Sequence, residues 1–70
     1  MRAFILDSKE QVVQVGNKIF YLRSGKVETT RANRKGIFDE CEYFVEVPMK
    51  SVDGARLAIT LIEQHPRKYR

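Results

Sequence analysis

The sequence predicts an α+β domain: a four- to five-stranded, mainly antiparallel meander with one C-terminal helix packed on one face. Three observations predict it. Short runs of β-branched and aromatic residues fill the first half of the chain. Gly16-Asn17 and Ser24-Gly25 interrupt those runs, and such dipeptides suit tight hairpin turns because Gly and Asn tolerate positive φ. The second half carries a single stretch, residues 52–64, whose apolar positions recur with helical spacing. A small barrel with the helix plugging one end satisfies the same pattern.

The elements follow in chain order. Residues 2–6 read as a strand ended by Asp7-Ser8-Lys9. Residues 11–15, 18–23 and 26–30 read as a three-stranded meander, the middle strand (KIFYLR) being the strongest β signal. If both turns hold two residues, Val15 faces Lys18, Val13 faces Phe20, Leu22 faces Val27 and Phe20 faces Thr29. One face then carries Val13, Val15, Phe20, Leu22 and Val27 and is the expected core face. The other carries Val12, Ile19 and Tyr21 among Gln14, Arg23, Lys26 and Glu28. It is too apolar for plain solvent surface, so a covering element is expected there.

Residues 31–36 (RANRKG) form a basic loop, followed by the apolar pair Ile37-Phe38 and the acidic run Asp39-Glu40-Cys41-Glu42. Residues 43–47 read as a fifth strand, with Phe44 and Glu46 on one face, and Pro48 ends it or marks a sheet edge. Ser51 is a good N-cap, and Asp53 places negative charge in the first helical turn. Gly54 weakens that turn by up to about 1 kcal/mol relative to Ala, and Pro66 stops the helix. Val52, Ala55, Ala58, Ile59 and Ile62 form the apolar stripe. Leu57 and Leu61 lie beyond it, so the apolar arc is roughly 200° wide, about twice what packing on a sheet needs. Two readings stand. Either a curled sheet, the Ile37-Phe38 pair or the first strand covers both leucines, or they form part of a dimer or partner surface. Each leucine fully buried there contributes about 1.5–3 kcal/mol.

Seventy residues make one domain, 1–70, with 66–70 as a basic tail that is either disordered or ordered on an acidic partner. A chain this short buries only about 60% of its unfolded surface. Cys41 is its single cysteine, which rules out an internal disulfide and fits a reducing compartment. One Cys and one His do not close a zinc site. Apolar residues at 43% and charged residues at 31% are globular proportions. The first apolar run is too short for a signal peptide, and no stretch approaches the roughly 20 apolar residues of a membrane span. A cytoplasmic protein with no membrane contact is expected.

Catalysis finds no support in the spacing. His65, the one histidine, sits at the helix C-terminus, where a cation is favourable. No second His is present, and no nucleophile has a neighbouring base that would mark a triad. Acidic neighbours raise the Cys41 thiol pKa and oppose a thiolate. The glycines are scattered, without a phosphate-cradling pattern. No enzyme activity, cofactor, metal or small-molecule substrate is therefore expected.

A binding role remains. The leading expectation is a small regulator or adaptor that docks on a larger protein or pairs with a second copy of itself. Leu57 and Leu61 supply apolar area, and Arg31, Arg34 and Lys35 steer the encounter. The alternative follows from the net charge of +4. It is RNA or single-stranded DNA binding through Arg31, Arg34 and Lys35 of the loop and Arg67, Lys68 and Arg70 of the tail, with Tyr21 available to stack a base.

Overall fold

The computed structural model describes residues 1–29, 41 and 43–65, with Tyr43 described by its backbone alone. Arg31, Arg34, Lys35, the Ile37-Phe38 pair, the acids Asp39, Glu40 and Glu42, and the tail residues Arg67, Lys68 and Arg70 lie outside the described residues.

Five strands form one antiparallel sheet: β1 (Arg2–Asp7), β2 (Val12–Val15), β3 (Lys18–Tyr21), β4 (Lys26–Thr29) and β5 (Tyr43–Glu46). Helix α1 (Val52–Gln64) packs on one face. The strand order is β4-β3-β2-β1-β5. The first four strands run as a meander, and β5 joins the far side beside β1, so β4 and β5 are the edges among the described strands. Among the described residues no helix is long and apolar enough to cross a membrane.

The first hairpin has the expected register, with Val13 opposite Phe20 and Val15 opposite Lys18. Of its two turn residues, Gly16 alone has positive φ, at 63°. That is the II′ pattern, which matches the right-handed strand twist. The second hairpin corrects the expected register. Phe20 faces Val27 and Lys18 faces Thr29, rather than Leu22 facing Val27 and Phe20 facing Thr29. The loop holds four residues, Leu22 to Gly25, closed by the Gly25 amide donating to the Tyr21 carbonyl at 2.8 Å, with Gly25 at φ 80°. The slip is two residues, not one, so every side chain keeps its face.

The bend into β2 also departs from expectation. Gln11 is not in the strand but in the left-handed region, at φ 56°. The pairing of β1 with β2 is irregular between Ile5 and Asp7. The Asp7 carboxylate accepts from the Lys9 and Glu10 amides, both at 3.0 Å, which closes the turn.

The helix begins and ends where its sequence signals stand. The Ser51 hydroxyl accepts from the Asp53 amide at 3.3 Å as N-cap, and the His65 amide donates to the Leu61 carbonyl at 3.0 Å. Ala55, Ala58, Ile59 and Ile62 are buried against a core of Ala3, Ile5, Val13, Val15, Phe20, Val45 and Val47. The alanines on both sides let helix and sheet approach closely. Leu22, Met49, Val52, Leu57 and Leu61 are half-buried at the margin of this core.

Candidate functional site

One helix is narrower than this sheet. Five strands span about 19 Å at 4.8 Å per step, whereas a helix with its side chains is about 10 Å across. Helix α1 lies over β5, β1 and β2. Right-handed twist of roughly 20–25° per strand turns β3 and β4 progressively away from it. The apolar face therefore continues past the helix. Phe20 is still buried, but Val27, opposite it on the edge strand, is 50% exposed on the face that is core elsewhere.

Between the helix start and the outer hairpin lies an open cleft of about 630 Å³. Val15, Phe20, Val27 and Val52 form its apolar floor and walls, and Lys18 and Lys50 stand at its rim. A smaller hollow of about 250 Å³ adjoins it, sharing Phe20, Val27 and Val52 and adding Leu22 and Arg56. Lys18, Lys50 and Arg56 are exposed, and none makes an ion pair with a described residue. Among the described residues no Asp or Glu lines either hollow. Lys26 also borders the smaller hollow, but its ammonium points to the opposite sheet face, 3.6 Å from the Glu28 carboxylate.

Gly54 positions the helix end of this cleft. A side chain there would meet the backbone carbonyl of Met49, closer than the 3.0 Å that real Cβ atoms respect. Glycine thus lets the Met49–Ser51 turn pack against the first helical turn, which sets Lys50 and Val52 beside Phe20.

The other sheet face carries polar order among its apolar residues. Phe4 and Phe44 meet as tilted rings 6.3 Å apart, with the Arg2 guanidinium 4.7 Å from the Phe44 centroid. Arg2 donates to Glu46 at 3.1 Å. Gln14, only 3% exposed, is satisfied by donating to the Gly16 carbonyl at 3.1 Å. Tyr21 donates its hydroxyl to Glu28 at 2.5 Å, and Lys26 lies 5.7 Å over its ring. The hydrogen bond to Glu28 raises the Tyr21 pKa above its ordinary 10.0, with partial desolvation and the nearby carboxylate charge acting the same way. That same bond, then the Lys26 charge, lowers the Glu28 pKa below its ordinary 4.5. Tyr21 therefore presents a phenol already bound to a carboxylate and a ring already faced by a cation.

Sequence reasoning named Leu57 and Leu61 as contact residues. At about 100° per residue they lie about 100–180° round the helix from Val52 and Arg56, on the flank away from the cleft. The structure gives them half-exposed positions against the core and does not bring them to the cleft. Phe20, Val27, Val52, Lys18 and Lys50 were missed. The available signal was width: a predicted five-stranded apolar face with one helix leaves strands uncovered.

Burial raises the Cys41 thiol pKa, as expected in direction. Among the described residues no three His, Cys, Asp or Glu side chains gather where they would hold a metal ion. Comparison with protein families, curated proteins and solved structures finds no match to this chain.

Proposed function

We propose that the chain is a small non-enzymatic interaction module of the cytosol, a regulator or adaptor that docks on a larger protein through the cleft between α1 and the β3–β4 hairpin. The observation that supports this reading is Val27, half-exposed on an otherwise buried face and continuous with Phe20 and Val52. Covering that ground removes apolar area from water, at about 25 cal/mol per Å². The cleft is open and edged by long lysines, whereas small-molecule sites are enclosed and carry convergent fixed polar groups. Leu57 and Leu61 offer a second, weaker patch on the opposite helix flank, and Arg31, Arg34 and Lys35 add positive charge for steering.

Capture from a lysate, with and without nuclease, together with the solution mass of the purified chain, tests the proposal. The expected result is a protein partner retained after nuclease and lost from the Val27→Glu variant. Capture that nuclease abolishes favours the RNA or single-stranded DNA reading. Capture unaffected by Val27→Glu but lost from Leu57→Ser/Leu61→Ser moves the contact to the other flank. A dimeric mass that Val27→Glu makes monomeric identifies the partner as a second copy.

A further inference from the structure

We infer that the cleft takes an extended, acidic segment of a partner protein, added to the sheet as a strand beside β4 with both aliphatic and acidic residues on its α1-facing side. This rests on the docking reading above and names the chemistry of the occupant.

Two features argue for it. The first is the edge. β4 pairs with β3 alone among the described strands, so its other backbone edge has no strand partner among them. Lys26, Val27 and Thr29 are exposed along it. A segment paired there projects every second side chain toward the α1 side. Those side chains fall over Val27 and toward Val52, where the floor is apolar.

The second feature is charge. Lys18 and Lys50 stand over the main cleft and Arg56 over the smaller hollow, and no described carboxylate lines either. These cations make no ion pair with a described residue. At the opposite sheet edge the situation differs. There Glu46 is paired with both Arg2 and the terminal amine, at 3.1 and 3.5 Å. Among the described residues the cleft edge therefore couples apolar ground with unpaired positive charge on one face, and a segment presenting aliphatic and carboxylate side chains to that same face complements both. A second copy of this groove, carrying the same cations, does not.

The test titrates the full isotope-labelled chain with an end-capped eight-residue peptide, Thr-Val-Thr-Glu-Thr-Val-Thr-Glu, whose Val and Glu share one face of a strand. Its Lys-for-Glu counterpart, a version N-methylated at alternate residues, and an oligothymidylate are titrated in parallel. The acidic peptide is expected to shift the Val27–Thr29 amides and the Val15, Val27 and Val52 methyls, with affinity falling about tenfold in Lys50→Glu and on moving to high salt. The Lys counterpart and the methylated peptide are expected to leave those signals in place. Lys50 is exposed, and a dispersed spectrum of the variant confirms its fold. Millimolar acidic peptide leaving β4 unshifted, equal binding of the methylated or Lys peptide, or the oligonucleotide shifting the same amides overturns the inference. If Val27→Glu abolishes partner capture while the acidic peptide ignores β4, docking stands and strand addition falls.

Discussion

Gly54→Ala separates helix propensity from packing. On propensity alone, replacing a helical glycine with alanine stabilises by about 1 kcal/mol. The structure reverses the sign. Gly54 is buried in the first turn, and an added Cβ overlaps the Met49 carbonyl oxygen while coming within 3.2 Å of its carbonyl carbon. That obstacle is backbone, so no rotamer change relieves it. Because the obstacle is backbone, moving the turn falls in the upper part of the overpacking range, about 2–3 kcal/mol. The net expectation is destabilisation by about 1–2 kcal/mol. For a domain this small, that lowers Tm by roughly 5–15 °C. Thermal unfolding followed by circular dichroism measures it, with urea midpoints as a check at one temperature. A Tm at or above wild type refutes the close approach of the Met49–Ser51 turn, and with it the placement of Lys50 and Val52 at the cleft.

Other expectations follow from single positions. Ile5 is fully buried, so Ile5→Ala costs about 2–5 kcal/mol, whereas Val27→Thr, on half-exposed ground, stays within about 0.5 kcal/mol; urea unfolding compares the two. Gln11→Gly relieves a left-handed non-glycine residue and is expected to stabilise by about 1 kcal/mol; an unchanged urea midpoint rejects that. Carbon-detected titration of the Tyr21 ring is expected to give a midpoint above 10.0 that falls in Glu28→Gln, because the hydrogen bond to Glu28 leads the shift. Through linkage, the raised Tyr21 pKa supports the fold below pH 10.0, and this support is lost as pH rises through the raised value. The lowered Glu28 pKa acts above its ordinary 4.5, and its support is lost as pH falls through the lowered value.

Much of the fold was legible because local chemistry and tertiary structure agree. Ser51 caps the helix start as its chemistry requires, the helix ends at Gln64 as its sequence pattern indicates, and Gly16-Asn17 sets the first hairpin's register. The second hairpin misled because Ser24-Gly25 resembles a two-residue turn, whereas Leu22 and Arg23 also belong to the loop. Nothing local distinguishes those cases, since both leave Phe20 and Val27 on one face. Gln11 resembles a strand residue by type, and its positive φ comes from the tight return out of β1. The cleft was hidden for a different reason. Sequence periodicity shows which side chains share a face, but not which strands one helix covers. The wide apolar arc of α1 drew attention to Leu57 and Leu61, while the open apolar ground lies on the sheet, at Val27.

Methyl relaxation by a soluble paramagnetic agent in the free chain measures that exposure directly. The Val27 methyls are expected to broaden strongly and those of Val52 partly, while Val13, Val15 and Val45 stay sharp. If the Val27 signals are as sheltered as those of Val13, the hairpin is covered and the docking ground does not exist.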